Sequence, residues 1–377
     1  LKDVRDGHDF VAQALENGAA AALVTRRPQG VSENAPLLIV ENVLDGLAAL
    51  GKEARARTNA RVAAITGSVG KTSTKEMLRT VLERQGKCHA AEASYNNHWG
   101  VPLTLARMPQ DTDFAVVEIG MSNPGEIAPL SKMAQPHVAM VTTVAAAHLA
   151  SFDDLSGIAV EKASIMDGLE PSGVAVLNAD IDTAHVLQEH AHALGVRQVH
   201  FGESASDWSV TNVRITGDVT VICANAGEHE YLFKLSVPGR HFAMNAVGVI
   251  AVADALGAAP VAASLDIARW VPPAGRGARE VVVTDMANSG ESLELLDDAF
   301  NANPTSLAAS LEVLAASTPT DNVGRVTKGR RVAILGDMLE LGAEENAMHR
   351  AMAKNDHLRS LELIHCAGPL MRNLWEA

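Results

Sequence analysis

The chain has 377 residues, 47% of them hydrophobic and 20% charged, a globular composition that is too long for one ordinary core and points to three domains. Its formal charge of −14 works against a polyanionic partner, and four Trp, two Tyr and seven Phe leave little material for base stacking, so nucleic-acid binding is not expected. No apolar run approaches the roughly 20 residues of a membrane span, and Cys88, Cys223 and Cys366 lie far apart, which fits a reduced, cytoplasmic setting.

The chain opens on "LKDVRDGHDF", with no initiator Met and no apolar leader, and is expected to lack its natural start. Residues 9–27 show a helical pattern closed by Gly18 and then a short apolar strand, and 45–58 form a second helix. The first domain boundary is placed near residue 59. From there strands at 62–66, 114–119, 137–143 and 173–178 alternate with helices at 72–85, 125–134 and 154–169, which predicts a parallel sheet with right-handed crossovers. Short strands between 207 and 237 read as antiparallel hairpins at the sheet edge, followed by helices at 241–257 and 261–269. "WVPPAGRGARE", residues 270–280, has the composition of a hinge, and a third domain with strands near 293–298, 331–336 and 361–366 follows it. The expected fold class is α/β in three domains: 1–58 partial, 59–272 with the central parallel sheet and its antiparallel edge, and 273–377 also incomplete.

Residues 65–77, "ITGSVGKTSTKEM", run from a strand end through a glycine turn into a lysine and hydroxyls that open a helix. The strict G-x-x-x-x-G-K-[ST] pattern has glycine where this chain has Ile65, but the physics of a phosphate cradle survives. Gly67 and Gly70 permit close backbone approach, amides at the helix start face the phosphates, Lys71 adds charge and Thr72 can ligate Mg²⁺. Glu118 closes an apolar strand at its carboxyl end, where it can complete a Mg²⁺ shell or be a solvated strand-end acid. His148 follows another strand; by spacing alone it is more simply structural, and Lys162 more simply a surface lysine. His185, His190 and His192 read as a solvated helix face rather than a metal site. His241 and Asn245 share a helix face, for capping, core contact or nucleotide-edge recognition. In "LLDDAFNANPTS", Asp297, Asp298, Asn301 and Asn303 end a strand before a Pro-initiated helix, where turn chemistry and a ligand site are both open.

Taken together, "DGHDFVAQALENGAAAALVTR", "TGSVGKTSTKEM", "SYNNHWGVPLTLARMP", "VVEIGMSNPGEI", "AAAHLASF", "PGRHFAMNA", "DDAFNANPTSLAASLEVL" and "RVAILGDMLELG" resemble the Mur ligases, ATP-dependent amide-forming enzymes of cell-wall precursor synthesis. The resemblance covers nearly the whole chain. It implies a UDP-substrate-binding first domain, a P-loop mononucleotide-binding central domain and a Rossmann-like third domain for ATP and an incoming dipeptide. The family cradle looks like T-G-S-x-G-K-T, so Thr66, Gly67, Ser68, Gly70, Lys71, Thr72 and Ser73 would hold the nucleotide, with Lys71 on the β and γ phosphates. Thr72 and Glu118 match ligands of one Mg²⁺, His148 matches a ligand of a second, and Lys162 falls where the family carries a lysine carbamylated by CO₂. Asn245 matches an asparagine near the adenine, although Phe242 replaces the first Asn of the family's H-N-x-x-N pattern. Arg276 corresponds to the hinge arginine, and Asp297 or Asp298 with Asn301 and Asn303 to the loop that brings the third domain onto ATP and dipeptide. Phe300 stands where Tyr is usual.

Asn96 and Asn97 resemble the segment facing the muramoyl peptide. The implied substrates are ATP, a UDP-N-acetylmuramoyl tripeptide and D-alanyl-D-alanine, acting on a monomer. The alternatives are a diaminopimelate- or lysine-adding member, folylpolyglutamate synthase, or a P-loop regulatory NTPase; "SYNNHWGVP" and "DDAFNANP" favour the dipeptide-adding member.

Overall fold

A computed structural model describes residues 6–147, 149–284, 291–324 and 326–377. In its first part, the short helix α1 (Val11–Glu16) ends in a turn at Gly18, whose φ of +94° suits glycine, and β1 (Ala22–Val24) then pairs in parallel with β2 (Leu37–Ile39). Helix α2 (Val43–Ala56) is capped by the Asn42 side chain, which accepts from the Leu44 and Asp45 amides.

The central sheet contains β3 (Arg61–Thr66), β4 (Cys88–Ala90), β5 (Phe114–Glu118), β6 (Val138–Val141), β7 (Val174–Asn178), β8 (Arg197–Gly202), β9 (Trp208–Thr216), β10 (Val219–Ala226) and β11 (His229–Leu235). Their spatial order is β11-β10-β9-β8-β7-β6-β3-β5-β4; the pairs from β4 to β9 are parallel, and β9, β10 and β11 form the expected antiparallel edge. Interleaved with them are α3 (Lys71–Leu82), α4 (Gly100–Ala106), α5 (Ile127–Ala134), α6 (Leu155–Ala163), α7 (Ala184–Ala193), α8 (Arg240–Ala255) and α9 (Pro260–Asp266). One face of the sheet packs Ile65, Val116 and Met140 against Met77 and Leu78 of α3 and Val249 and Ile250 of α8. The other packs Val62, Val117 and Val141 with Ile127, Ile158 and Leu187. Burial on both faces is why these strands read as unbroken apolar runs rather than alternating ones.

Helix α2 docks on this body. Its Gly51 lies so close to α4 that a Cβ would come within 2.9 Å of the Pro102 carbonyl oxygen. The buried Arg55 guanidinium donates to the Ala134 and Gln135 carbonyls, both at 2.8 Å, satisfying the carboxyl end of α5. Two differences from the sequence pattern have local causes. The helix expected over 154–169 stops at Ala163 and tightens into a 3₁₀ turn over Ser164–Gly168, because Gly168 abuts the Ser131 backbone where no Cβ would fit. The half-buried strands β4 and β8 and the short α4 carry too little apolar periodicity to be read beforehand.

The last part begins where the hinge backbone turns extended at Ala278. Strand β12 (Ala278–Val283) pairs antiparallel with β13 (Ser292–Asp297), so the hinge composition ends at Gly277 and not at residue 280. Helix α10 (Pro304–Ala316) packs against a second pair, β14 (Val332–Gly336) and β15 (Leu363–Ala367), which run parallel. Leu311, Leu335, Met338, Met352 and Met371 form its separate core. No helix among the described residues is long and apolar enough to cross a membrane.

Candidate active site

Sheet order fixes where a ligand can sit. Neighbouring strands β3 and β5 send their connections toward opposite edges of the sheet, β3 to β4 and β5 to β6, and the crevice beyond the carboxyl end of β3 holds the glycine turn. Gly67 (φ +153°) and Gly70 (φ +86°) occupy conformations that favour glycine. A Cβ on Gly67 would overlap Thr142 Oγ1, and one on Gly70 would come within 2.9 Å of Asn245 Nδ2. The turn is fastened to the segment after β6: Thr142 Oγ1 donates to the Val69 carbonyl at 2.6 Å, and Ser68 donates from its amide to Thr143 O and from Oγ to Ala145 O. No side chain caps the start of α3, which leaves its first amides for an anion. Lys71 Nζ donates to Gly67 O at 2.7 Å, within the cradle. Thr66 and Ser73 are buried beneath it, so they support the turn rather than line the cleft.

Glu118, at the end of β5, is 1% exposed. Its carboxylate accepts from Thr72 Oγ1 at 3.0 Å, Ser94 Oγ at 2.8 Å and Asn96 Nδ2 at 2.8 Å. Sequence reading missed Ser94, a loop hydroxyl with no periodic or motif signal of its own. Two hydroxyls and a carboxylate within hydrogen-bond reach of one another form an all-oxygen donor set, the kind Mg²⁺ takes. His148 lies outside the described residues, and no group of three or more His, Cys, Asp or Glu among the described residues forms a metal cluster. His185 and His192 are exposed as expected, whereas His190 is half-buried and pairs with Asp167 at 2.7 Å.

Two cations, Lys71 and Arg276, stand beside Glu118, and a third basic residue, Lys162, lies near Lys71. Burial lowers the Lys71 pKa, Glu118 opposes that shift and Arg276 adds to it. Arg276 is lowered by burial against the opposing pull of Glu118 and Asp298. Lys162 is 2% exposed, so the surface-lysine reading is overturned. Burial first and Lys71 second hold its pKa well below the ordinary lysine value, with Glu161 opposing. Glu161 itself accepts from the Gly125 and Ile127 amides, so it caps α5 and forms no direct pair with Lys162. Lys71 and Arg276 line the cleft together with Glu118, Glu126 and Glu340, so an anionic ligand there would rely on the uncapped α3 amides and on cations bound with it.

The opposite wall comes from the hinge and the last part: Arg276, Phe300, Asn301, Asn303, Leu339 and Glu340 share the cleft with Ser68, Gly70, Lys71, Asn96, Asn97 and Glu118. The Arg276 guanidinium stacks 4.0 Å over the Phe300 ring. Of the two strand-end acids, Asp297 accepts from the Gly275 and Ala299 amides and so staples the hinge turn, while Asp298 meets Ser310 on α10. Asn303 Oδ1 accepts from the Ser306 amide and caps α10, and Asn97 Oδ1 accepts from the Trp99 and Gly100 amides at the start of α4. Those oxygens serve the turns, and the amide nitrogens remain for a ligand. Asn245 sits against Gly70, at the cradle itself.

Residues 65–253 match the Mur ligase middle domain. The chain is 36% identical to the UDP-N-acetylmuramoyl-tripeptide--D-alanyl-D-alanine ligase of Escherichia coli K12, an alignment covering 91% of this chain and 72% of that one. The chain belongs to the Mur ligase family. Among solved structures, crystal structure I of MurF from Acinetobacter baumannii superposes with a TM-score of 0.84 at 29% identity, covering 99% of this chain and 77% of that one. MurF ligase from Thermotoga maritima in complex with ADP gives 0.80 at 26% identity, over 98% and 80%.

Proposed function

We propose that this Mur ligase uses ATP to join D-alanyl-D-alanine to the terminal carboxylate of a UDP-N-acetylmuramoyl tripeptide, in peptidoglycan precursor synthesis. The observation that carries the reading is the glycine turn with Lys71 and the uncapped α3 amides, beside Glu118 and Arg276 and facing Asn301 and Asn303 across one cleft. A substrate carboxylate oxygen attacks the γ-phosphorus, the bond to the β-phosphate oxygen breaks, and ADP leaves an acyl phosphate. The dipeptide amine then attacks the acyl carbon, loses a proton, and phosphate departs with the C–O electron pair. Neither step needs a protein nucleophile, which agrees with a site built from cations, amides and hydroxyls.

Lys71 and the α3 amides hold the β and γ phosphates, with Thr66, Gly67, Ser68, Gly70 and Ser73 shaping the turn and Asn245 and Arg276 bounding the nucleotide. Thr72, Ser94 and Glu118 are the residues to hold one Mg²⁺, and His148 with Lys162 a second; the ions supply charge neutralisation at the phosphates. The fit of Lys162 to a carbamate rests on its burial and depressed pKa: a neutral amine is the form that reacts with CO₂, and the resulting anion would relieve the repulsion from Lys71. Asn97 and Asn303 present amides toward the tripeptide and dipeptide, whereas Asn96, at the edge of that substrate site, donates its amide to Glu118 and Ser94. The proposed division is 1–58 for the UDP substrate, 59–272 for ATP and 273–377 for ATP and dipeptide, in a cytoplasmic monomer.

The deciding experiment measures phosphate release and amide product with UDP-muramoyl tripeptide and a panel of amino acids and dipeptides. Turnover that requires both the tripeptide and D-alanyl-D-alanine is expected. Product with diaminopimelate or lysine in place of the dipeptide would reassign the acceptor, and substrate-independent hydrolysis would favour a regulatory switch.

A further inference from the structure

Lys75 lies one helical turn beyond Lys71 on α3 and has no solvent exposure. Its ammonium donates to Ala91 O at 2.7 Å and Ala93 O at 3.1 Å and pairs with Glu76 Oε1 at 2.9 Å, so two hydrogen bonds and an ion pair hold it. Glu76 Oε2 is held in turn by Arg79 at 2.7 Å. Desolvating an ammonium costs several kcal/mol, and a Met would fill the same volume without that cost, so packing alone does not account for a charge here.

The two carbonyls belong to residues 91–97, a strap without strand or helix whose Ser94, Asn96 and Asn97 line the cleft. Ser94 directly follows Ala93, and Ser94 and Asn96 are the strap's donors to Glu118. The far end of the strap is tied by the Gly120 amide to Asn96 O at 2.8 Å. A segment with no regular structure takes its register from such anchors, and a slip of one residue would carry both donors away from the carboxylate.

We propose that Lys75 is a positioning residue for the nucleotide step: it sets the register of the strap so that Ser94 and Asn96 orient the Glu118 carboxylate beside Thr72. The cradle helix thereby fixes the carboxylate as well as the phosphates. This inference rests on Glu118 holding Mg²⁺ as proposed above. Groups that orient metal ligands typically change metal affinity or activity by about 10–100-fold when removed.

The test is a thermodynamic cycle on the full chain, read by calorimetric titration with a non-hydrolysable ATP analogue, with and without Mg²⁺. Lys75→Met is compared in the wild-type and in the Ser94→Ala/Asn96→Ala background, with melting curves for each. Expected is an approximately tenfold or larger loss of Mg²⁺-dependent affinity in the wild-type background, a less than about twofold further loss in the double-variant background, and partial recovery with Lys75→Arg. Equal losses in both backgrounds, or no loss in either, would overturn the proposal. If Lys75→Met does not fold, Lys75→Gln, which keeps a donor for one carbonyl, goes through the same cycle with the same criteria. Because the readout is binding, a wild-type chain that forms no amide product would sink the ligase reading while leaving the cycle to decide the role of Lys75.

Discussion

Single residues decide the chemistry of this cleft, and Gly67 is the clearest case. Its φ of +153° and its contact with Thr142 leave no room for a Cβ, so Gly67→Ala must displace either the turn or the Thr142 bond to Val69. Expected is a loss of ATP-analogue affinity of at least about tenfold, measured by calorimetry, with a lowered melting temperature from about 1–3 kcal/mol of local strain. Lys162 makes a second prediction. Its folded pKa is below the unfolded value, so between the two the unfolded chain carries the extra proton, and stability rises with pH through that window toward 10.5. Urea unfolding in CO₂-free buffer should show this slope, and Lys162→Met should flatten it and stabilise the chain at neutral pH. Lys162→Ala should abolish amide formation, with partial rescue by short carboxylic acids if a carbamate acts there; full activity without added acid would remove the assignment.

At the scale of elements, helix ends carry both stability and recognition. Asn303 caps α10 through Oδ1, so Asn303→Asp keeps the cap while replacing the amide donor with a negative charge, whereas Asn303→Ala loses the donor and about 1 kcal/mol of cap energy. If the amide faces a substrate, Asn303→Asp should hold the wild-type melting temperature and raise the dipeptide KM; unchanged kinetics would leave Asn303 as a cap alone. At the start of α8, burial lowers the His241 pKa to about 4, and its Nδ1 has no hydrogen-bond partner. The unfolded chain therefore takes up the proton first as pH falls from 6.5, and stability present above that value is lost progressively down to about 4. The loss is about 3 kcal/mol at the lower end, and His241→Phe should remove that part of the acid dependence in chemical unfolding curves. Elements themselves were legible where an apolar run was unbroken, as in β3, β5 and β6, or where helical periodicity was strong, as in α3. They were not where an edge strand is half-buried, as in β4, or where a strand starts inside a glycine- and proline-rich stretch, as β12 does.

Across the whole molecule, the cleft has one wall from the central sheet and one from the last part, joined by the hinge through Arg276 and the Asp297 staple. Acyl phosphates hydrolyse readily, so closing that cleft on bound substrates protects the intermediate. Small-angle scattering should show compaction when ATP analogue and UDP-muramoyl tripeptide are added together; an unchanged radius of gyration would exclude closure of this chain. The sequence by itself determined the cradle, the run of parallel strands and the family, because these rest on local spacing: two glycines, a lysine and a hydroxyl within a few residues, and apolar runs that only two-sided burial explains. Only the tertiary structure decided which polar residues act together. Ser94, Asn96, Thr72 and Glu118 meet from three separate segments, Lys162 is buried beside Lys71, and Asp297 is a hinge staple while Asp298 turns toward α10. The reason is physical: burial and charge proximity arise from packing between segments far apart in the chain, and neither leaves a periodic mark on the residues that share it.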